Sequence, residues 1–117
     1  MNGNAYSLAG SSALVTGGNS GIGKACSLAL AKAGAAVAIN YVTDADIAQQ
    51  MAGEIAAAGG KALAVAGDVG REAEVKAMFN RVQAEFGGLD ILINNAGIQR
   101  DSPLVDMTLQ QWTAVIE

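Results

Sequence analysis

The chain has 117 residues, of which 51% are hydrophobic and 15% are charged, and its formal net charge is -4. This composition is typical of one globular domain, or of part of one, and excludes a disordered chain. The basic residues are scattered along an acidic sequence, so neither nucleic acid nor an anionic membrane surface is predicted as a partner. No apolar run is long enough to span a membrane and the N-terminus lacks a secretion signal, which predicts a cytoplasmic protein.

The residues that most often carry metal or redox chemistry are scarce. Histidine is absent, which removes the commonest metal ligand and imidazole acid-base catalysis. The single cysteine, Cys26, has no partner for an internal disulfide and is expected to pack within a helix. No cluster of cysteine and acidic residues has the spacing of a metal site, so no metal is predicted.

Short apolar runs alternate with segments of helical period along the chain. Four runs are predicted to be buried parallel strands, at residues 13–16, 35–40, 62–66 and 89–94. The first helix is expected to bury a stripe that begins at Ile22 and includes Cys26 and Ala29. Glycines at 34, 59 and 87 are expected to end the three helices. Thr43, with Asp46 three residues later, predicts the N-terminal cap of the second helix.

This alternation predicts an α/β fold of the Rossmann type. Right-handed crossovers between the runs give a parallel sheet in the order 3-2-1-4 with helices on its flanks. A loop over residues 95–107 and a helix beginning at Thr108 are expected to follow the fourth strand. That strand would then form a sheet edge, and the last helix has no stop signal before Glu117. We therefore expect residues 1–117 to form one half-domain, incomplete at its C-terminal side and truncated from a longer protein.

The most informative segment is the sequence TGGNSGIG at residues 16–23, where the first strand passes into the first helix. The start of a helix presents unpaired N–H groups and the positive end of its dipole, which together favour an anion. Glycines at 17, 21 and 23 allow a tight turn, close approach of a diphosphate and close packing of the helix on the sheet. The alternative is a glycine-rich turn that binds nothing.

The pattern Thr16-Gly17-x-x-x-Gly21-Ile22-Gly23 resembles the cofactor fingerprint of the classical short-chain dehydrogenases/reductases. Two further segments resemble family signatures, the NNAG sequence at residues 94–97 and the GDV sequence at residues 67–69. Within the family, the sequence from Asn40 and the ending at Trp112 to Ile116 look most like glucose 1-dehydrogenase-type or 3-oxoacyl-reductase-type members.

The resemblance implies that the chain binds a nicotinamide dinucleotide. The family's binding roles fall on positions from the glycine segment, the end of the second strand and the two other signatures. They are Gly17, Asn19, Ser20, Gly21, Ile22, Gly23, Asn40, Tyr41, Asp68, Val69, Asn95, Ala96 and Gly97. Asp68 is alternatively an ordinary carboxylate at the start of a helix, and Asn95 is alternatively a turn former that satisfies its own backbone.

The choice of cofactor depends on the end of the second strand. NAD-selective sites usually place Asp or Glu there to bind the ribose 2′-hydroxyl, whereas this chain has Asn40-Tyr41-Val42. No carboxylate repels a 2′-phosphate and no nearby basic residue pairs with it. Asn19, Tyr41 and Thr43 could hydrogen-bond a phosphate. The sequence therefore admits both NAD and NADP, with an inclination to NADP or to dual use.

The family's catalytic tyrosine and lysine have no counterpart in this sequence. In the family, hydride transfer resembles acid-base catalysis by a tyrosine whose partner lysine lies four residues later. Residues four after Tyr6 and Tyr41 are Gly10 and Ala45. The resemblance implies an oxidoreductase that acts on an alcohol or carbonyl substrate, usually a homo-tetramer when complete, of which this chain supplies only cofactor binding. The alternatives are a stand-alone dinucleotide-binding module and a structural piece whose glycine segment is empty.

Overall fold

The computed structural model describes residues 7–95, in which strands and helices alternate as the sequence predicts. The elements are β1 (Ser12–Thr16), α1 (Gly21–Lys32), β2 (Ala36–Tyr41), α2 (Ala45–Ala57), β3 (Ala62–Ala66), α3 (Glu72–Phe86) and β4 (Ile91–Asn94). All strand pairs are parallel and the sheet order is β3-β2-β1-β4, which confirms the predicted Rossmann-type sheet. Strand β3 has the predicted bounds, whereas the other three strands differ from prediction by one or two residues, most at β4, which begins at Ile91 and not at residue 89.

Each face of the sheet carries its own apolar core. Because successive side chains of a strand point to opposite faces, Leu14 and Val15 of β1 belong to different clusters. Leu14 packs with Phe79 and other residues of α3, whereas Val15 packs with Met51 and other residues of α1 and α2. All five residues of β1 are buried, because β1 is paired on both sides and covered on both faces. This central position places the turn after β1 between the ends of β2 and β4.

Helix α1 packs on the sheet through small residues, and the predicted stripe is wrong at two positions. Ile22 is 70% exposed and Ala29 is exposed, whereas the buried residues of the helix are Gly23 and Ser27. The helix begins so close to the turn after β1 that only small side chains fit between them. Cys26 is half-buried beside the core of that face, in line with its predicted packing role.

The glycine stops are confirmed, but the predicted cap of the second helix is wrong. Gly34, Gly59 and Gly87 have φ values of 106°, 94° and 80° at or just after the helix ends. Helix α2 is capped by Asp44, not Thr43, and Asp44 has φ 60° and ψ 50° with no side-chain capping bond. The cause is a tertiary contact, since the side chain of Asn19 binds the carbonyl groups of both Thr43 and Asp44.

The left-handed conformation of Asp44 makes a testable prediction about stability. Among residues 7–95 it is the one residue other than glycine with positive φ, which costs an L-residue about 1 kcal/mol. We expect Asp44→Gly to raise the free energy of unfolding in urea by roughly 0.5 kcal/mol, because strain relief exceeds the added entropy of the unfolded chain. The matched control, Asp46→Gly in the first turn of α2, should lower it by roughly 0.5–1 kcal/mol, because glycine has the lower helix propensity and the favourable carboxylate at the helix start is lost. Equal losses in the two variants would contradict the strain argument.

No helix in the described part of the chain, residues 7–95, has the length and apolarity needed to cross a membrane.

Candidate functional site

The site is centred on the glycine loop, residues 17–20, which connects β1 to α1. Gly17 and Gly21 have φ values of 60° and 54°, a conformation that L side chains rarely adopt. The path of the backbone therefore favours glycine at both positions.

Two asparagines from neighbouring strands hold Gly17 in place. Its N–H donates to Oδ1 of Asn40 at 3.0 Å, and its carbonyl accepts from Nδ2 of Asn95 at 3.2 Å. Asn40 is in β2 and Asn95 directly follows β4, so the first residue of the glycine loop is bonded to both strands that flank β1. Neither hydrogen bond can form unless the sheet has the order observed.

Helix α1 holds the next part of the glycine loop through a serine that sequence reasoning missed. Oγ of Ser27 lies 3.1 Å from the carbonyl oxygen of Gly18 and 2.9 Å from that of Gly23. A Cβ atom on Gly18 would lie 2.8 Å from the carbonyl oxygen of Val15 and 2.9 Å from Oγ of Ser27. In the sequence, Ser27 is visible as a hydroxyl residue four positions after Gly23. The apolar stripe of the same helix gives no indication of its role.

Gly23 is the point of closest approach between α1 and the glycine loop. A Cβ atom there would run into the carbonyl group of Gly17 and would lie 2.7 Å from Nδ2 of Asn95. The third glycine of the pattern is thus needed for packing.

The N-terminal end of α1 offers unpaired donors to solvent. The first backbone bond of the helix joins the N–H of Lys24 to the carbonyl of Ser20 at 3.1 Å, so the preceding amides lack a helical partner. Ser20 is the N-cap and its hydroxyl makes no capping bond, and the first turn contains no acidic residue. Ser20, Gly21 and Ile22 are all exposed. This end of the helix therefore has the donors, the dipole and the access that an anion requires.

Asn40 lies beneath the glycine loop and not on its surface. It is 0% exposed, and its Nδ2 donates to the carbonyl of Val65 at 3.3 Å and to that of Gly67 at 2.9 Å. The next residue, Tyr41, is half-buried against the core. The side chain at the end of β2 that lies nearer the surface is thus that of Tyr41.

Asn19 connects the glycine loop to the β2–α2 loop, residues 42–44. Its Nδ2 donates to the carbonyl oxygens of Thr43 and Asp44 at 2.9 and 3.0 Å, and the residue is only 7% exposed. Because both donors of the amide are used, its NH₂ group supports the loop and does not face solvent.

The β3–α3 loop, residues 67–71, contains the second predicted segment. Oδ1 of Asp68 accepts from the N–H of Gly70 at 2.8 Å, and the N–H of Asp68 donates to Oε1 of Glu74 at 2.8 Å. Asp68 is half-buried, whereas Val69 is buried in the core with Phe79. Any ligand contact of Val69 would therefore use its backbone.

The end of β4 completes the edge at which these loops meet. The hydroxyl of Thr16 lies 3.3 Å from both Oδ1 of Asn94 and the carbonyl oxygen of Ile93. Asn95 is 9% exposed and is bonded to Gly17, as described above. The predicted site residues Ala96 and Gly97 lie outside the described residues. Within residues 7–95, no three cysteine or acidic side chains are grouped so that they could hold a metal ion.

Comparison with known proteins identifies the family of this chain. Residues 11–117 match the family model described as short chain dehydrogenase. The 3-oxoacyl-[acyl-carrier-protein] reductase FabG of Staphylococcus aureus is 45% identical over 106 residues, which are 91% of this chain and 43% of that protein. The chain thus spans less than half the length of the curated relatives it matches.

Two solved structures are similar in both fold and sequence. A short chain dehydrogenase from Burkholderia cenocepacia in complex with NADP has a TM-score of 0.75 and 46% identity, covering 93% of this chain and 44% of that one. A 7α-hydroxysteroid dehydrogenase complexed with NADH and 7-oxo glycochenodeoxycholic acid has a TM-score of 0.73 and 35% identity, covering 79% of this chain and 36% of that one.

Proposed function

The chain belongs to the short-chain dehydrogenase family, and from that premise we propose that it is the cofactor-binding part of an NAD(P)-dependent oxidoreductase. The reaction is hydride transfer between the nicotinamide and an alcohol or carbonyl substrate. When bound, the nicotinamide supplies the hydride acceptor or donor. The described residues supply the means to hold the dinucleotide and to orient it.

The observation that carries this proposal is the start of α1, which is exposed and has no side-chain cap. It directly follows a glycine loop whose first residue is hydrogen-bonded to Asn40 and to Asn95. The diphosphate of a dinucleotide takes the place of the missing capping groups, and no acidic residue in the first turn opposes it. The backbone at Gly21 has nothing within 4 Å of where a Cβ would be, so the surface there is open to a ligand. The residues of this part of the chain therefore fit a dinucleotide.

The remaining roles divide between residues that contact the cofactor and residues that position those contacts. Gly17, Ser20, Gly21, Ile22 and Gly23 line the diphosphate and the neighbouring ribose. Tyr41 can hydrogen-bond a 2′-phosphate, Asp68 and the backbone of Val69 meet the adenine, and Asn95, Ala96 and Gly97 pack beside the ribose. Asn19 and Asn40, which are buried and bonded to other loops, act by positioning.

We propose NADP as the preferred cofactor, with use of NAD also permitted. The end of β2 has no carboxylate where an NAD-selective site would have one, because Asn40 and Tyr41 occupy those positions. Without a basic side chain to pair with a 2′-phosphate, discrimination between the two cofactors should be small. The similar structures that hold NADP and NADH, respectively, are consistent with either choice.

Catalysis requires residues that this sequence does not contain, since neither tyrosine is followed four residues later by lysine. We propose that they are supplied by the rest of a longer protein, which acts in the cytoplasm as a homo-oligomer. The 3-oxoacyl reductases among the relatives make a 3-oxoacyl substrate one candidate, and glucose 1-dehydrogenase-type chemistry remains another.

Titration of the purified chain with NADP and with NAD tests the proposal directly. We expect dissociation constants on the order of micromolar, within about tenfold of each other, and no measurable hydride transfer to any carbonyl compound. Isothermal titration calorimetry measures the first quantity and loss of NADPH absorbance the second. Binding of neither cofactor below millimolar concentration would contradict the proposal, and turnover would show that the catalytic residues lie within this sequence.

A further inference from the structure

We propose that Asn40 is a positioning residue that fixes the glycine loop and the β3–α3 loop relative to each other, so that one dinucleotide contacts both. The inference rests on the proposed function and deepens it. It concerns a residue that lies beneath the binding surface and does not contact the cofactor.

The side chain of Asn40 bonds to both loops at once. Oδ1 accepts from the N–H of Gly17 at 3.0 Å, while Nδ2 donates to the carbonyl of Gly67 at 2.9 Å and to that of Val65 at 3.3 Å. Gly17 is the first residue of the glycine loop, and Gly67 directly precedes Asp68. One amide therefore joins the proposed diphosphate and adenine contacts.

The backbone at the end of β2 reinforces the same connection. The carbonyl of Asn40 accepts from the N–H of Gly18 at 2.8 Å, and the carbonyl of Tyr41 accepts from the N–H of Gly67 at 3.1 Å. The backbone thus brings each loop to β2 separately, and the side chain of Asn40 joins them to each other.

Only an amide satisfies this position without rearrangement. The site needs an acceptor toward Gly17 and donors toward the carbonyls of Val65 and Gly67, and the side chain is 0% exposed, so water cannot replace a missing partner. A carboxylate would supply the acceptor but would face two carbonyl oxygens. An apolar side chain would leave all three backbone groups without this partner.

The consequence for binding follows from the length of the ligand. A dinucleotide gains affinity because its diphosphate and its adenine bind together, which depends on a fixed distance between the two loops. A small ligand that touches only one loop does not depend on that distance. Loss of Asn40 should therefore weaken the dinucleotide much more than its separate parts.

The test compares Asn40→Asp and Asn40→Leu with the unchanged protein and with Asn80→Asp, a matched control at an exposed asparagine of α3. Affinities are measured for NADP, for adenosine and for inorganic pyrophosphate by calorimetry or NMR. We expect both Asn40 variants to bind NADP about 10- to 100-fold more weakly and to bind adenosine and pyrophosphate within about threefold of the unchanged protein. The control should match the unchanged protein for all three ligands.

Lowering the pH gives an internal check on Asn40→Asp. Burial beside two carbonyl oxygens raises the pKa of the introduced carboxyl above its ordinary value, so it is protonated at mildly acid pH and can then donate to Gly67. The NADP affinity of this variant, relative to the unchanged protein, should recover as the pH falls from about 8 to about 5.5. The nearby charged side chains are those of Asp68 and Glu74 in and beside the β3–α3 loop. Taking the ratio to the unchanged protein at each pH removes the pH effects that the two proteins share. Asn40→Leu should show no recovery.

The outcomes separate this inference from the proposed function. If the unchanged protein fails to bind NADP, the proposed function is wrong and this inference falls with it. If the unchanged protein binds and both Asn40 variants are folded but bind NADP as tightly as it does, or lose all three ligands to the same extent, Asn40 has no positioning role. A variant that does not fold at neutral pH is still informative, because acid recovery restricted to Asn40→Asp supports the bonding scheme and absence of recovery contradicts it.

Discussion

Gly23→Ala is expected to destabilise the chain by about 3 kcal/mol and to weaken NADP binding by about 100-fold. The added Cβ would run into the carbonyl group of Gly17 and lie 2.7 Å from Nδ2 of Asn95. Backbone atoms cannot move aside as a flexible side chain can, so α1 must move away from the glycine loop. That movement would break the bond between Asn95 and Gly17 and displace the unpaired amides at the start of the helix.

Gly53→Ala is the matched control, since it makes the same change in the middle of α2, where a Cβ would have nothing within 4 Å. There alanine should raise the free energy of unfolding by about 0.5–1 kcal/mol and leave NADP affinity unchanged, because it improves helix propensity without new contacts. Urea unfolding and calorimetric titration measure both quantities. Similar stabilities for the two variants would mean that α1 does not approach the glycine loop as closely as the structure has it.

Gly21→Asp is expected to abolish binding of both NADP and NAD, with a loss of more than about 100-fold in affinity. The residue is exposed in the first turn of α1, where a carboxylate would lie beside the bound diphosphate and would compete with it for the unpaired amides. Since the surroundings of Gly21 are open, the substitution causes no clash and acts mainly through charge.

Gly21→Asn separates charge from backbone strain in this experiment. Asparagine has the shape of aspartate and tolerates the positive φ of 54° at this position, but it carries no charge. We expect it to bind NADP more weakly than glycine by about tenfold and much more tightly than the aspartate variant. Equal affinities for the two variants would show that charge at the start of α1 does not matter, which would contradict a diphosphate at this place. Thermal unfolding checks that both variants fold.

The glycine turn between β1 and α1 and the order of the strands could be predicted from the sequence. Glycines at 17, 21 and 23 stand between a buried apolar run and a helical segment, and that order admits few structures other than a βα turn. The parallel order of the strands followed from the length of the crossovers. The βα turn and the strand order depend only on local sequence pattern and on chain connectivity. Both can be seen in the sequence, and both predictions agree with the structure.

The supports of the site could not be predicted, because they depend on which loops lie side by side. The sequence predicts Asn19 and Asn40 as cofactor-binding residues, but it does not reveal that both are buried and bonded to neighbouring loops. The sequence shows a hydroxyl at Ser27 but not its partners, because these are the backbone carbonyls of Gly18 and Gly23. The left-handed conformation of Asp44 likewise follows from its bond with Asn19. An asparagine at the end of a strand can either contact a ligand or support a neighbouring loop. The sequence looks the same in the two cases.

The bond between Asn95 and Gly17 joins residues 78 positions apart in sequence. Closing a contact between residues so far apart costs chain entropy before the contact is gained. During synthesis on the ribosome, the nascent polypeptide therefore has no finished nucleotide pocket until its fourth strand has emerged and docked beside the first. If the proposed function is right, a dinucleotide can bind this region only from that stage onward, and its binding then stabilises the assembled sheet.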